Sequence, residues 1–592
     1  MPDSSPIWNL NDLYVGMDDA ALAADLAAAR QDAATLAANW QGKLATATGA
    51  EMASVIAEYE RIFESLGKVN SHAQLLFAAN TIDAAIAKHH QSVREAGAEI
   101  NATLLFIELE TAVMDDAHVT DLMKTSECAY WQPWLRRVRA MAPHQLSADM
   151  ERMLAERAPA GRGAWVRLFD ETAAALKFPF QGAEITEAEI LDKLASPDAG
   201  IRKEAGLSLS ATLKANDRLL SLILNTIAKD KEVEDRWRGF VRPFASRNLA
   251  NDVDDEVVDA LVSAVNSRNA DLSHRYYAMK AGWMGVDRLD WWDRNAPLPG
   301  DDDRQFSWPE AEQIVLDAFI GFDPEMAATA KPFFERSWID AAPRPGKSSG
   351  AFSHPVTPSA HPYILMNFAG KSRDVMTLAH EMGHGVHQCL AAANGYLMSD
   401  TPLTLAETAS VFAEMLAFRQ LIESAEDADT RRVLLAGKVE DMLNTVVRQI
   451  AFHNFETAFH GARGNGELTA EEISDVWMDT QRAALGPAVR IGDDYRPVWG
   501  YIPHFVHTPF YVYAYAFGDC LVNALWQSYQ NANVAGMSGD FVTKYKNLLC
   551  AGGTERYDVA LAKFGLDARQ PAFWSQGLDM ISGMIDELEG LD

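Results

Sequence analysis

The sequence has 592 residues, of which 23% are charged and 48% hydrophobic; these are ordinary globular values that exclude a disordered or fibrous chain. Its 83 acidic residues outnumber 52 lysines and arginines, giving a net charge of −31. This excess of acidic residues argues against nucleic acid and anionic membranes as partners, because both bind proteins through clustered lysine and arginine side chains. At about 150 residues per domain, the length predicts three to four domain-sized units.

Cysteine usage and the absence of long apolar runs indicate the compartment. Cys128, Cys389, Cys520 and Cys550 lie far apart with no CxxC pair, which excludes a disulfide framework and a thiol redox motif. The first residues show no basic stretch followed by an apolar run, as a signal peptide would. Apolar stretches such as 219–228 fall short of the roughly 20 residues that span a bilayer. We therefore expect a cytoplasmic protein.

Most of the chain has helical periodicity. Apolar residues that recur every three or four positions predict helices over 18–46, 50–115, 186–232 and 254–283. The turn sequence KFPFQG at 177–182 predicts a boundary between an N-terminal helical region, 1–185, and the remainder, 186–592. The clearest strand is PYILMNFAG at 362–370, and strand signals elsewhere are sparse. The fold class is therefore mostly α with a small β-sheet.

The segment after that strand, KSRDVMTLAHEMGHGVHQ at 371–388, combines a helical apolar face with two histidines. His380 and His384 are four residues apart, so both rings lie on one side of the helix and can chelate one metal ion. Glu381 is offset by one residue, which places its carboxylate beside the metal, where it can accept a proton from a metal-bound water. HEMGH thus matches the HExxH motif of zinc peptidases and predicts one Zn²⁺ per chain.

A third protein ligand is needed, and His387 cannot supply it. It lies seven residues from His380, about 10 Å along the helix axis, so we expect it to pack beside the ligands. Leu390 stands where the metzincin pattern requires histidine, which excludes that class. The helical segment 403–416 instead offers Glu407 as the ligand.

Two further interpretations concern nearby carboxylates. Glu414, two turns beyond Glu407, is predicted to orient a ligand imidazole or to be solvated. Glu381 and His384 also form the ExxH element of di-iron bundles, but no other histidine in the chain has a glutamate three residues before it. A di-iron site is therefore disfavoured.

A second candidate constellation lies in YIPHFVHTPFYVYAYAFGD at 501–519. Tyrosine hydroxyls and histidine N–H groups can donate to the oxyanion that peptide hydrolysis generates. Packing of a buried aromatic strip explains the same residues equally well. The candidates are His504, His507, Tyr511, Tyr513 and Tyr515.

With these residues identified, the chain resembles the oligoendopeptidase F branch of the thimet-oligopeptidase-like zinc peptidases. The resemblance covers the C-terminal two-thirds densely and the N-terminal third thinly. Its motifs are WNLNDLY near the start, GAF (350–352), HPYILMNF (361–368), TLAHEMGHGVH (377–387), AETASVFAE (406–414), VRQIAFHNFE (447–456) and IPHF…FYVYAYAFG (502–518).

The resemblance implies a two-lobed helical zincin with a deep substrate channel, a small sheet beside the active-site helix and a single zinc on the channel floor. It implies cleavage of internal bonds in short unstructured peptides, with 1–185 as the family's N-terminal region and 186–592 as the catalytic domain. The family lays its substrate along an edge strand, which 363–368 would provide. The implied roles are ligands His380, His384 and Glu407; general base Glu381; carbonyl-facing His504, Tyr511 and Tyr515; and substrate-binding Tyr363, Leu365 and Asn367.

Two other functions remain open from the sequence. A catalytically inactive peptide-binding or chaperone-like member would be expected to lack Glu381 or a ligand, and none is missing. A zinc hydrolase that acts on non-peptide amides is disfavoured chiefly by the resemblance. Co²⁺ or Mn²⁺ would also suit the same ligands.

Overall fold

A computed structural model describes residues 5–158, 160–298, 305–348, 350–425 and 427–591. Its contacts divide the chain into two compact, discontinuous units. The first comprises Met1–Ala142, Asp303–Ser424 and Ser528–Leu566, and the second comprises Pro143–Asp302, Ala425–Gln527 and Asp567–Asp592. Each unit is therefore assembled from segments that are distant in sequence.

Helices dominate the described residues, which confirms the predicted mostly α fold. The first segment of the first unit, which ends at Ala142, contains seven helices: α1 (Ala20–Trp40), α2 (Gly49–Ala79), α3 (Ala84–Leu104), α4 (Phe106–Ala112), α5 (Asp116–Leu122), α6 (Ser126–Ala129) and α7 (Gln132–Ala140). The next segment holds α8 (Ala148–Arg157), α9 (Arg162–Ala175), α10 (Glu187–Lys193), α11 (Ala199–Ala215), α12 (Asp217–Arg238), α13 (Ala245–Ala250), α14 (Asp255–Arg268) and α15 (Arg275–Trp283).

The C-terminal half continues in the same manner. Its helices are α16 (Trp308–Phe322), α17 (Pro324–Glu335), α18 (Ser372–Ala391), α19 (Tyr396–Ser399), α20 (Leu403–Glu423), α21 (Ala428–Thr445), α22 (Val447–Arg463), α23 (Ala470–Leu485), α24 (His504–His507), α25 (Tyr513–Val534), α26 (Ser538–Ala551), α27 (Tyr557–Ala562) and α28 (Pro571–Glu589). Within the part of the chain that the model describes, no helix is long and apolar enough to cross a membrane.

Caps explain where the predicted helical stretches break. The stretch 50–115 becomes α2, α3 and α4, because the chain leaves the helix at Asn80 and the Asp83 side chain accepts the Ala85 and Ile86 N–H groups to start α3. A capping box of Thr48 and Glu51 starts α2, and a second box of Thr186 and Glu189 starts α10. Side-chain oxygens thus satisfy N–H groups that the first turn leaves unpaired.

The sheets are small, as predicted, and of the strand expected at 362–370 only Tyr363–Leu365 is extended in a sheet. In the second unit β1 (Phe178–Phe180) pairs antiparallel with β2 (Ala183–Ile185), and β3 (Leu289–Asp290) pairs parallel with β7 (Val489–Arg490). In the first unit β4 (Ile339–Asp340), β5 (Phe352–His354) and β6 (Tyr363–Leu365) form one sheet in the order β4-β6-β5.

The position of β6 corrects one prediction. β6 lies in the middle of the sheet, parallel to β4 and antiparallel to β5. The prediction that 363–368 forms an edge strand is therefore wrong, because β4 and β5 occupy both sides of Tyr363–Leu365. β5 is an edge strand of this sheet, and it packs beside α18.

Candidate metal centre

Two imidazoles of α18 form one side of the site. His380 and His384 stand one turn apart with ring centroids separated by 5.0 Å and ring planes at 81°. Val375, Leu378 and Met382 on the same helix are fully buried. This amphipathic pattern, predicted from the sequence, holds the helix in the core while both rings keep one partly exposed face.

Glycine at position 383 allows α20 to approach α18 closely. A Cβ atom there would come within 2.4 Å of the Ala409 carbonyl oxygen and 2.7 Å of the Ser410 Cα. Any side chain would therefore force the two helices apart. The close approach brings the Glu407 carboxylate to the histidines, with its Oε2 atom 3.4 Å from His380 Nε2 and 3.4 Å from His384 Nε2.

This donor set fits a tetrahedrally coordinated metal ion. One ligand atom from each of His380, His384 and Glu407 lies within 4.8 Å of the other two. Zinc bonds to imidazole nitrogen and carboxylate oxygen are about 2.0–2.2 Å long, so neighbouring ligand atoms on a tetrahedral zinc stand roughly 3.4 Å apart. The two separations from Glu407 match that value, and two imidazoles with one carboxylate leave a coordination position open.

The charges around the histidines favour a cation. Burial lowers the pKa of His380, but its hydrogen bond with Glu414 and the negative charges of Glu407 and Glu414 outweigh burial and raise it. Burial raises the pKa of Glu407, yet the hydrogen bond and charge of His384, the charge of His380 and a hydrogen bond from Ser410 hold it well below its ordinary value. The cluster therefore stabilises positive charge between its carboxylates.

Glu381 lies beside the donor set on the same helix and is 6% exposed. Burial raises the pKa of its carboxyl group, while the positive charges of His380 and His384 act in the opposite direction. The carboxylate also hydrogen-bonds the backbone of Ser353 in β5. Sequence reasoning missed Ser353, although it follows directly on the GAF segment that carries part of the resemblance.

Glu414 and His387 take different positions around the donors. Glu414 Oε2 lies 3.3 Å from His380 Nδ1, where it can fix the ring orientation and leave Nε2 free to bind a metal. His387 is buried, its Nε2 atom lies 3.2 Å from the Thr401 hydroxyl, and burial lowers its pKa to about 4. The three-donor group does not include His387.

The aromatic candidates near the C-terminus belong to the second unit. His504 Nε2 lies 3.3 Å from the Tyr515 hydroxyl. The His504 and Tyr511 rings stack at a centroid distance of 6.2 Å, and the Tyr511 and Tyr515 rings meet edge to face at 5.3 Å. The structure thus brings these three side chains into one partly exposed group, called the His/Tyr cluster below.

His507 and Tyr513, the two other candidates of this segment, have partners outside the His/Tyr cluster. His507 Nε2 lies 2.6 Å from Asp170 Oδ1, on an exposed face. Tyr513 is fully buried, and its hydroxyl accepts a 2.8 Å hydrogen bond from the Asn251 side chain. Both residues therefore have structural roles that need no substrate.

The residues predicted to bind substrate surround the middle strand β6. Tyr363 and Leu365 are fully buried, and the Tyr363 hydroxyl donates to the Asn9 carbonyl oxygen. The Asn367 side chain donates to the Ser348 and Gly350 carbonyl oxygens. The structure thus gives these side chains internal partners, and the edge strands of this sheet are β4 and β5 instead.

Comparison with known families agrees with this geometry. The model of peptidase family M3 matches residues 193–580, and a model described as Oligopeptidase F matches residues 110–178. Oligopeptidase PepF of Bacillus subtilis is 25% identical over 100% of this chain and 88% of its own length. Group B oligopeptidase PepB of Streptococcus agalactiae is 25% identical over 86% of each chain.

Solved structures show the same fold. Oligoendopeptidase-F from Enterococcus faecium superposes with a TM-score of 0.71 at 21% identity, covering 96% of this chain and 97% of its own. At that identity the likeness concerns the fold alone. The match to the sequence model of peptidase family M3, however, spans well over half of the sequence and includes His380, His384 and Glu407. The chain therefore belongs to peptidase family M3 and is a metallopeptidase.

Proposed function

We propose that this chain is a zinc-dependent oligoendopeptidase that hydrolyses internal bonds of short unstructured peptides. The observation that carries the proposal is the position of Glu407 Oε2, equidistant at 3.4 Å from the Nε2 atoms of His380 and His384. Those separations suit zinc, whose bonds to such ligands are about 2.0–2.2 Å long. The oligopeptidase names of the full-length relatives support peptides as the substrate class.

The residues divide the chemistry between them. A zinc ion held by His380, His384 and Glu407 would polarise the scissile carbonyl and lower the pKa of the attacking water. Glu381 would accept the proton of that water on its carboxylate and deliver it to the leaving amine. Glu414 would keep His380 in the tautomer whose Nε2 atom is available as a ligand.

The His/Tyr cluster would stabilise the oxyanion. Tyr511, Tyr515 and His504 each carry a group that can donate a hydrogen bond to a developing negative charge. Their mutual contacts limit the rotamers that each ring can adopt. The contacts of Tyr513 and His507 with Asn251 and Asp170 support leaving those two residues out of the role.

Substrate pairing is assigned to β5. The Ser353 backbone hydrogen-bonds Glu381, so an extended peptide along β5 would lie beside the general base and would exchange this hydrogen bond for its own. The Ser353 carbonyl oxygen accepts a 3.2 Å hydrogen bond from Gln388 of α18, which ties the strand to the helix that carries the motif. Backbone pairing of this kind suits broad sequence specificity.

The division of the chain into 1–185 and 186–592 belongs to the same proposal. Support comes from the two family models, which end at residue 178 and begin at residue 193. The second compact unit crosses this boundary, so the boundary separates two matched stretches of sequence rather than two folding units.

The decisive experiment measures metal content and peptide hydrolysis together. The purified protein should hold one zinc per chain, cleave a quenched fluorescent peptide internally, lose activity to a chelator and regain it with Zn²⁺. Glu407→Ala should weaken zinc binding, because it removes one of three protein ligands. If the loaded protein binds peptides without cleaving any, the inactive peptide-binding member is the correct interpretation.

A further inference from the structure

The chain that carries the His/Tyr cluster makes a strained turn just before Tyr511. The Tyr511 N–H donates to the Thr508 carbonyl oxygen at 3.1 Å, which closes a four-residue turn. Pro509 occupies its second position, and Phe510 occupies the third with φ of +62°. This is the pattern of a type II turn, whose third residue is normally glycine. A non-glycine residue there costs on the order of 1–2 kcal/mol.

A buried glutamate contacts the strained residue directly. In a type II turn the N–H of the third residue points away from the turn and needs an external acceptor. Glu456 of α22 supplies it, because its Oε1 atom accepts the Phe510 N–H at 2.8 Å. Glu456 is 1% exposed, so water does not compete for this hydrogen bond.

Stability alone does not explain a carboxyl group at this place. Burial raises the pKa of Glu456 to about 8, although the hydrogen bond from the Phe510 N–H and the charges of Lys231 and Arg247 lower it. Its second oxygen, Oε2, is buried and has no hydrogen-bond partner among the described residues. An unpaired buried polar atom costs about 1–3 kcal/mol. Glu456 and Phe510 thus each carry an energetic cost at the one point where they meet, directly before two candidate catalytic tyrosines in the chain.

Other contacts fix both ends of the turn. The Phe510 ring is fully buried and lies 4.8 Å from the His460 ring, also on α22. On the preceding side, Arg162 of α9 donates to the His507 carbonyl oxygen at 2.7 Å and to that of Val506 at 3.3 Å. Because the Phe510 ring and the backbone before the turn are both held in place, the backbone conformation of Phe510 sets the direction in which the chain enters α25.

We propose that Glu456 is a positioning residue for the peptidase reaction. By accepting the Phe510 N–H it holds the left-handed turn that directs Tyr511 and Tyr515 toward His504. The inference rests on the oxyanion role proposed for the His/Tyr cluster. Glu456 contacts the turn and not the substrate, so its effect passes through the tyrosines.

Three substitutions separate the hydrogen-bond acceptor, the carboxyl group and the length of the side chain. Glu456→Gln keeps a carbonyl acceptor at full length and should remain within about threefold of the parent kcat. Glu456→Met removes the acceptor at similar size and should lower kcat about 10²-fold with KM nearly unchanged, since displacement of a catalytic group by about 1 Å costs that much. Glu456→Asp retains the carboxyl group but falls short of Phe510, and it should resemble Met. If the Met variant does not fold, the Asp and Gln pair decides.

The neighbouring residue offers a matched control. Thr457 is next on α22, and its buried hydroxyl has no partner among the described residues. Thr457→Val should therefore leave kcat unchanged. A double-mutant cycle with Tyr515→Phe measures the coupling between the two residues in kcat, which a general loss of stability would not produce. If Glu456 acts through the tyrosines, Glu456→Met combined with Tyr515→Phe should be little slower than the slower single variant.

Each adverse outcome has a distinct meaning. Normal kcat in Glu456→Met beside a slow Tyr515→Phe overturns the positioning role and leaves the proposed function intact. Equal losses in the Gln and Met variants overturn the acceptor argument, because the carboxyl group itself would then be the active property. Fully multiplicative effects in the cycle would show that Glu456 acts elsewhere. Normal turnover in Tyr511→Phe and Tyr515→Phe removes the oxyanion role and this inference together.

Discussion

The metal centre and the His/Tyr cluster are built by opposite means. The metal centre rests on two regular helices, α18 and α20, which approach closely because residue 383 has no side chain. The His/Tyr cluster rests on an irregular turn with a left-handed phenylalanine, whose N–H donates to buried Glu456. Regular helix packing holds the first site, and a few individual polar contacts hold the second.

The difference determines how each site should fail. Helix packing is distributed over many contacts, so the metal centre tolerates loss of one chemical group without moving the others. The turn at Phe510 has few alternatives, so loss of one contact should displace several groups together. Substitutions that remove chemistry but keep shape test the first site, and those that remove a hydroxyl or an acceptor test the second.

The largest effect is expected at Glu381, the proposed general base. Glu381→Gln should retain one zinc per chain and lose about 10²–10⁴ in kcat, because the side chain transfers a proton and is not a ligand. The measurement is kcat on a quenched fluorescent peptide beside zinc stoichiometry. Activity within tenfold of the parent would remove Glu381 from the mechanism.

The second effect belongs to the His/Tyr cluster. Tyr511→Phe or Tyr515→Phe should lower kcat by about 10²–10³ with little change in KM, because the hydroxyl donates mainly in the transition state. His504→Ala should act in the same direction, and zinc content should not change. Tyr513→Phe is the matched control, since its hydroxyl bonds Asn251 and should affect stability alone. Similar turnover in all four variants would assign the cluster to core packing.

The third prediction tests helix packing. Gly383→Ala should destabilise the fold by about 1–3 kcal/mol and weaken zinc binding, because its Cβ would clash with the Ala409 carbonyl oxygen and separate α20 from α18. Gly437→Ala in α21 meets no atom within 4 Å and should stabilise by about 0.5–1 kcal/mol. Thermal unfolding of both variants checks the contrast. Equal stability changes would show that close approach at residue 383 is unimportant.

The smallest effect concerns support of the carboxylate ligand. The Ser410 hydroxyl donates to Glu407 Oε2 at 2.6 Å. Ser410→Ala should weaken zinc affinity about tenfold, as is typical when a hydrogen bond to a ligand is removed, and leave kcat of the loaded enzyme nearly unchanged. Competition with a chelator measures the affinity. Unchanged affinity would mean that packing alone orients Glu407.

Local geometry decided what the sequence could predict. His380, Glu381 and His384 lie within five residues of one helix, so spacing alone fixes their arrangement. Glu407 was predicted because an acid on an apolar helix face needs a partner. The edge-strand prediction failed because the β4 segment Ile339–Asp340 is too short to recognise before its pairing is seen.

The remaining features depend on contacts between distant residues. Glu456 lies 54 residues from Phe510, and no local pattern announces that one accepts the N–H of the other. The role of Gly383 likewise needs the backbone of Ala409, which belongs to a different helix. The Thr-Pro-Phe-Tyr sequence around Phe510 weakly indicates a turn, because proline at the second turn position suits a type II turn.

Placement of the metal ligands on two packed helices has a consequence for how the ion binds. Ordering a flexible loop costs about 1–2 kcal/mol of conformational entropy for each residue fixed. Here both ligand-bearing segments are regular helices, and the Glu407 oxygen stands 3.4 Å from both ligand nitrogens. Metal binding therefore orders few additional residues and costs little conformational entropy. The binding free energy is then available to discriminate between ions by their radius. Calcium, which takes six to eight oxygen ligands at about 2.3–2.6 Å, should be rejected by this rigid spacing.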